Sequence, residues 1–505
     1  MLKKYLIQRS SAILFYVSLL MFAAGLFLCV PFFVGIAYDH YIPCARLAAA
    51  FLLPGVALSV LALIGTLVGA PETITLKDAM FICTAAWILF SLVGAIPFFI
   101  LTTLPPEDAF FESVSGITTT GFTMFADIAH QPYSILFWRS FSQWLGGIGI
   151  LSVFLLIGYK GGAATNKLFY AEGHKITTGN PGQGPFQRAL GFIAVYGITS
   201  IVLFIILMAL DLNFFDALNH TLTTVSTGGF SIYDDSIGHY AAAGVPHALF
   251  IEIVIMVFMI TGGINFFIHT QVLHGSIKGL WDNTQMRLFW ALLFGGGALL
   301  FFSRLYSPTA GMHNHINTES WTVSLRESAF QIVSFITTTG YTTRTVSDPV
   351  FTVIGQQLFL VLMIIGGCSG STSGGFKIIR IAVLFKLVNQ RLVKINSGPY
   401  HRVPLHIDGV IVPPEEIRRI IVIFFVWLCI AVIGGMVTAL FSNLSAWESF
   451  SGMFSAIGNI GPTFIDQTDF IALHPIVKYT LCFGMLAGRL ELLPVLLILN
   501  RQFYR

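Results

Sequence analysis

Runs of about twenty apolar residues alternate along the chain with shorter stretches rich in Thr, Ser and Gly. A helix rising 1.5 Å per residue needs about 20 residues to cross a hydrocarbon core of about 30 Å. Each long run therefore predicts a spanning helix. Ten are predicted, at roughly 12–37, 46–70, 80–103, 134–159, 189–211, 247–273, 287–306, 353–395, 417–441 and 471–499, the eighth being interrupted. The semi-polar stretches between some of them are too short to span.

Composition supports a multi-span membrane protein. Of 505 residues, 55% are hydrophobic and 10% charged, against roughly 25% charged in soluble domains. The mean hydropathy is +0.80. A net charge of +3 is too small to imply nucleic acid as a partner. The six cysteines are scattered with no CxxC pair, so neither a disulfide framework nor a metal site is expected. The chain starts with a basic head and an apolar run too long for a signal-peptide core, which reads as a spanning helix. The charges then orient the spans. Segments 104–133, 212–246 and 442–470 hold no Lys or Arg, and 307–350 holds only Arg326 and Arg344. Segment 160–188 carries Lys160, Lys167, Lys175 and Arg188, and 377–419 carries eight basic residues. Basic loops stay in the cytoplasm, so both termini are expected there.

The outward-facing stretches repeat. "DAFFESVSGITTTGF" from Asp108, "DALNHTLTTVSTGGF" from Asp216, "ESAFQIVSFITTTGY" from Glu327 and "ESFSGMFSAIGNIGP" from Glu448 each open with an acid. Each reaches a glycine 13 residues later, at Gly121, Gly229, Gly340 and Gly461. About ten residues make a helix of roughly 15 Å, half a bilayer, and an acid suits its positive end. The predicted unit is a helix that enters from outside, stops at mid-membrane and returns as extended backbone. Such backbone is tolerated only where it lines a cavity or is buried in protein. Four units around one axis would surround a hole with rings of carbonyls, the way a cation filter replaces an ion's water shell. Glycine permits the backbone angles this needs. The hydroxyls two and three residues earlier can satisfy backbone groups or face the ion. The expected filter is Thr118, Thr119, Thr120 and Gly121; Ser226, Thr227, Gly228 and Gly229; Thr337, Thr338, Thr339 and Gly340; Gly458, Asn459, Ile460 and Gly461.

With its motifs "TTTGF", "STGGFS", "TTTGY", "GNIGP", "GGIGI", "GGINF", "GGCSGSTSGGFK" and "GRLEL", nearly the whole chain resembles the Trk/Ktr/HKT superfamily of potassium transporters, closest to its TrkH/TrkG branch. The resemblance implies an all-α membrane protein with four helix–pore loop–helix repeats around a pseudo-fourfold pore, preceded by an N-terminal two-helix hairpin. The expected boundaries are 1–75 for the hairpin and 76–165, 186–275, 285–398 and 414–505 for the repeats. It also implies that the four glycines form the filter, with K+ held at Thr119, Thr120, Thr227, Gly228, Thr338, Thr339, Asn459 and Ile460. In the HKT branch a serine at the first glycine accompanies sodium transport. Glycine at all four positions therefore favours potassium. The fourth repeat departs from Thr-x-Gly through Asn459, Ile460 and Pro462.

The stretch Gly366 to Gly375, with Gly366, Gly367, Gly370, Ser371, Thr372, Gly374 and Gly375, breaks an apolar run. Glycine costs about 1 kcal/mol in a helix, so the segment is expected to unwind below the filter. The resemblance makes it an intramembrane gate loop; small-residue packing between helices is the plainer alternative. It is not a phosphate-binding loop, because Phe376 separates glycine from Lys377 and no strand precedes it. The glycine pairs Gly146–Gly147 and Gly262–Gly263 read as packing positions. Arg489, inside the last span, is costly there. It is expected either to place a positive charge at the gate or to pair with Glu491. Lys377, just past the loop, is grouped with Arg489 as a gate residue, with an interface anchor as its plainer reading; His220 reads as a packed core residue, and Asp108, Asp216, Glu327 and Glu448 mainly as helix-start residues.

The expected function is potassium uptake through a gated filter, with K+ as the transported ion, no organic cofactor and no catalytic residues. The alternative is an alternating-access, proton- or sodium-coupled symporter of another solute, since carriers also use broken helices and repeats. Four parallel units with acids at the outer helix starts favour the pore. The resemblance further implies a homodimer in membrane lipid, with a cytoplasmic nucleotide-binding regulatory subunit of the TrkA type docking on the basic loops.

Overall fold

A computed structural model describes residues 2–67, 74–149, 185–305, 321–396 and 403–499. Most of the basic stretch 160–188 and the inner end of the span expected at 134–159 lie outside the described residues.

The described membrane-crossing parts are mostly helical. A hairpin comes first: Leu2–Leu28 and Val30–Tyr38 run one way. Cys44–Leu47, a single π turn at Ala48–Leu52 and Leu53–Thr66 run back. The two legs approach through small residues. A Cβ on Gly25 would overlap Gly55 O and Ser59, and one on Gly65 would overlap Ser18. Close backbone approach of this kind holds helices together where lipid removes the hydrophobic driving force.

Four units of one plan follow. Each has a long first helix: Leu76–Gly94 continued by Ile96–Leu101, then Pro185–Ala209, Thr284–Leu305 and Pro414–Leu440. Each then has a buried half-span helix: Pro106–Ile117, Phe214–Val225, Trp321–Ile336 and Ala446–Gly458. Each returns through a second helix: Tyr133–Ile148, Ala248–Gly263, Val353–Ile364 and Pro475–Arg489. Large apolar side chains such as Leu61, Phe302 and Met436 stay exposed on the outer helices, facing where hydrocarbon would be. The polar side chains turn inward instead.

Two of the second helices depart from expectation. Ala248–Gly263 and Pro475–Arg489 are 16 and 15 residues long, about 23–24 Å at 1.5 Å per residue, too short to cross, whereas the break after Val353–Ile364 is the expected one. The runs 247–273 and 471–499 are not continuous spans. Ala248–Gly263 and Phe266–Leu273 meet at a 106° bend, and Pro475–Arg489 gives way to Leu493–Leu499. The causes are local. Asn265 caps the resumed helix, its Oδ1 accepting from Phe267 N at 2.8 Å. Helix Pro475–Arg489 closes with Leu492 N donating to Ala487 O and Glu491 N to Gly488 O, the paired bonds of a Schellman end. Glu491 takes the left-handed angle itself, φ 56°. Apolar composition hid both breaks.

The half-span helices begin as their sequences require. Asn213 caps the second, accepting from Asp216 N at 2.9 Å, and Ser445 with Glu448 forms a capping box on the fourth. Asp108, Asp216 and Glu448 lie in first turns. Glu327 does not: it sits well inside Trp321–Ile336, buried, and pairs with Arg304 at 2.9 Å and Arg344 at 2.8 Å.

Candidate functional site: a ring at the ends of four half-span helices

The four half-span helices end in one way. Thr120 N donates to Ser115 O and Thr119 N to Gly116 O. Gly228 to Thr223 and Thr227 to Thr224, Thr339 to Ser334 and Thr338 to Phe335, and Ile460 to Ser455 and Asn459 to Ala456 repeat the pattern. These are four Schellman ends. Each needs a left-handed residue, and the chain uses Thr119 (φ 55°), Thr227 (52°), Thr338 (55°) and Asn459 (52°). Glycine usually fills that position; a residue with a Cβ pays about 1–2 kcal/mol there. Strain kept at three threonines and an asparagine marks a backbone held for a purpose. Two residues on, Gly121 (φ 90°), Gly229 (76°), Gly340 (80°) and Gly461 (105°) are again left-handed.

The ring closes in chain order. A Cβ on Gly121 would meet Gly228 O, one on Gly229 Thr339 O, one on Gly340 Ile460 O, and one on Gly461 Thr120 O. Each glycine thus abuts the carbonyl just before the next unit's glycine, and the fourth returns to the first. A side chain at any of the four would collide with backbone.

The carbonyls of this ring are the unusual feature. Thr119, Thr120, Thr227, Thr338, Thr339, Asn459 and Ile460 are at most 1% exposed. Yet among the described residues none of their carbonyl oxygens accepts a hydrogen bond from the protein. Buried carbonyls are almost always paired, so this cluster has acceptors to offer a partner from outside the chain. Gly228 O differs, accepting from Gln143 Nε2 at 2.6 Å.

The side chains of the strained positions face the other way, onto the floor. Thr119 Oγ1 accepts from Arg489 Nη1 at 3.2 Å, Thr227 Oγ1 donates to Thr372 Oγ1 at 3.1 Å, and Thr338 Oγ1 accepts from Gly374 N at 2.8 Å. Asn459 Nδ2 donates to Thr120 Oγ1 and Met485 O. The outer three-residue hydroxyls lock locally: Thr118 bonds Thr120, and Thr337 bonds Thr339, at 2.8 Å. Of the two roles open to these hydroxyls, this geometry uses the structural one.

Gly366–Gly375 lies directly below. It unwinds as the composition predicts, and its backbone is satisfied by the break in the neighbouring unit. Cys368 N and Thr372 N donate to Gly263 O and Gly262 O, and Phe266 N donates to Gly370 O. Two irregular segments thus pair with each other at membrane depth, the condition under which they are tolerated. Gly374 has no room for a side chain against Gly458 O and Asn459. The expected packing glycines fit too: Gly146 abuts Ile117, Gly147 abuts Ser226, Gly262 abuts Thr227 and Gly263 abuts Thr337.

Arg489 joins ring and loop. Besides Thr119, it donates to Thr372 O and Gly146 O, both at 2.5 Å. It does not pair with Glu491, whose carboxylate binds Arg380. Lys377 is no interface anchor: it is 8% exposed, and its Nζ donates to Ser373 O. Lys377, Arg489, Glu491, Ser371 and Ser373 line a small cavity of about 40 Å3 below the ring. Above the ring, a cavity of about 390 Å3 is lined by all four ring glycines, with Arg139, Asp234 and Asp466 among its charges. Asp108, Asp216, Glu327 and Glu448 do not line it. His220 is buried between Tyr240 and Tyr341.

Sequence reasoning missed the supports. Arg139 pairs with Glu112 at 2.7 Å, both buried, and lies over the Phe230 ring at 4.0 Å. Glu112 also accepts from Met124 N, and Lys478 pairs with Asp108 at 2.5 Å. The available signal was a charge inside an apolar run, as at Arg139 and Lys478.

Known proteins resemble the chain over most of its length. The family model described as "TrkH: Cation transport protein" matches residues 58–502. The Trk system potassium uptake protein TrkH of Escherichia coli K12 is 30% identical over 440 residues, 85% of this chain and 86% of that protein. TrkI of Halomonas elongata is 31% identical over 443 residues, 84% of each. An uncharacterized cation transporter of Methanocaldococcus jannaschii is 29% identical over 95% of this chain and 93% of its own. The crystal structure of the potassium transporter TrkH from Vibrio parahaemolyticus superposes with a TM-score of 0.81 at 24% identity, over 98% of this chain and 99% of that one; at this identity it speaks for the fold. With its four half-span helices closing one ring and a family match across most of its length, this multi-pass membrane protein belongs to the TrkH family of cation transport proteins.

Proposed function

We propose that the chain takes potassium across the cytoplasmic membrane through the ring at Gly121, Gly229, Gly340 and Gly461, gated by Gly366–Gly375 and Arg489. The observation that carries this reading is the set of buried carbonyls at the ring that no donor among the described residues satisfies. Carbonyl oxygens in that arrangement replace the water shell of a dehydrated cation. The ring drawn from all four units supports reading 76–165, 186–275, 285–398 and 414–505 as pore repeats. The Arg489 guanidinium supplies a positive charge where an ion would leave, and its bonds to Thr119 and Thr372 tie the floor to the loop.

The test is potassium-limited growth of a bacterial strain without its own uptake systems, with flux measured in both K+ and Na+. Wild type restores growth at low potassium. Gly121→Ser and Gly340→Ser, produced in the membrane at wild-type levels, lose potassium preference by tenfold or more, because the new side chain meets the neighbouring carbonyl. Rescue unchanged by both substitutions would make the ring scaffolding only.

Relatives named as parts of a Trk system support a second component for this chain. The same reading takes in a homodimer, cytoplasmic termini and a nucleotide-binding subunit on the basic inner surface.

A further inference from the structure

The ring is fourfold in backbone but not in chemistry. One position before each ring glycine stand Thr120, Gly228, Thr339 and Ile460. Among the described residues, three of these carbonyls accept from no protein donor. The fourth, Gly228 O, accepts from Gln143 Nε2 at 2.6 Å, while Gln143 Oε1 accepts from Phe230 N at 3.1 Å. The Gln143 amide therefore grips the second segment on both sides of Gly229. It is fully buried. The sequence records the fit twice. A Cβ on Gly228 would overlap the Gln143 amide, which explains why this unit reads Thr-Gly-Gly where the first and third read Thr-Thr-Gly. Gln143 stands three residues before the glycine pair Gly146–Gly147. The matching positions before Gly262–Gly263, Gly366–Gly367 and Ala487–Gly488 are Met259, Met363 and Gly484, none of which can donate a hydrogen bond of this strength.

We infer that Gln143 is a specificity-determining positioning residue. By donating to Gly228 O it takes up one of that carbonyl's two lone pairs and fixes its direction, so the ion meets three free carbonyls and one weakened one at this level. A ring with four equal carbonyls has a stronger field, and field strength together with cavity size sets which alkali cation is preferred. The inference rests on the filter reading above. It predicts that the identity of residue 143 alters ion preference without altering membrane assembly.

The experiment measures K+, Rb+ and Na+ uptake by purified full-length protein in liposomes, with monodispersity checked in detergent. Gln143→Met installs the residue that two other units carry. Gln143→Glu keeps the acceptor for Phe230 N and removes the donor to Gly228 O. Both are expected to shift the K+ to Na+ preference by about tenfold, the worth of roughly one hydrogen bond, with a matching shift in half-saturation for K+. Gly228→Ala alone is expected to impair uptake by collision with the amide. Gln143→Ser with Gly228→Ala removes the collision and recovers uptake with the altered preference. A monodisperse Gln143→Met or Gln143→Glu protein with wild-type preference and half-saturation overturns the inference. If both single variants fail to assemble, the double variant decides: wild-type preference without the amide overturns it equally. Wild-type liposomes that take up no potassium would instead overturn the filter reading, leaving the two failures distinguishable.

Discussion

At the scale of single residues, strain and burial separate what matters from what is merely conspicuous. Thr119, Thr227 and Thr338 hold left-handed backbones that cost about 1–2 kcal/mol each, Asn459 holds the same angle more easily, and their side chains bond Arg489, Thr372, Gly374 and Met485. Arg489→Ala removes the anchors on Thr119, Thr372, Gly146 and Gly147 together with the positive charge below the ring. Rubidium uptake in whole cells is expected to rise several-fold, because the loop loses its tie to Gly146 and Thr119. The buried Glu112–Arg139 pair gives a different outcome. Arg139→Met alone leaves a carboxylate buried without its partner, at a cost of about 3–5 kcal/mol, and the detergent-solubilised protein is expected to unfold at lower temperature. Adding Glu112→Met recovers part of that loss, measurable as a double-mutant cycle. Gly121 and its three counterparts were legible in sequence because only glycine suits both the angle and the lack of space. Gln143 was not, since a polar residue in an apolar run does not declare which backbone it faces.

At the scale of elements, the half-span helices followed from spacing: an acid, about ten residues and a glycine predicted where each one ends. Glu327 broke the rule because its helix starts earlier, and the acid serves Arg304 and Arg344 rather than a helix end. The broken second helices were only partly legible. Gly366–Gly375 announced its break by composition, while Ala248–Gly263 and Pro475–Arg489 hid theirs inside apolar runs. Asn265 is the one local clue in the second unit. Asn265→Ala removes the cap on Phe266–Leu273 and is expected to cost about 1 kcal/mol, seen as a lower apparent melting temperature. The bonds from Cys368, Thr372 and Gly370 to the Gly262–Phe266 segment predict that the same variant also loosens the loop, raising the reactivity of buried Cys368 towards maleimides.

At the scale of the whole molecule, charge bias and ring closure address different questions. The bias of Lys and Arg predicts cytoplasmic termini and an outward vestibule. Single cysteines in a background lacking the native six test this. One at Asp127 is expected to react with an impermeant reagent in intact cells, and one at Lys394 only after the membrane is opened. The vestibule's acids turned out to be Asp234 and Asp466, which stand outside the repeated motif and so could not be picked from it.

The sequence by itself determined that the chain spans a membrane many times, that one unit is written four times, and which glycines end it, because hydropathy, charge bias and spacing are local properties. Tertiary structure decided the order in which the units close, the pairing of two broken helices, the placement of Arg489 against Thr119 instead of Glu491, and the grip of Gln143 on Gly228. These depend on contacts between residues tens to hundreds of positions apart, where a single chain carries no periodic signal. What a buried polar atom needs is written in its chemistry; which partner meets that need is settled only when the units pack together.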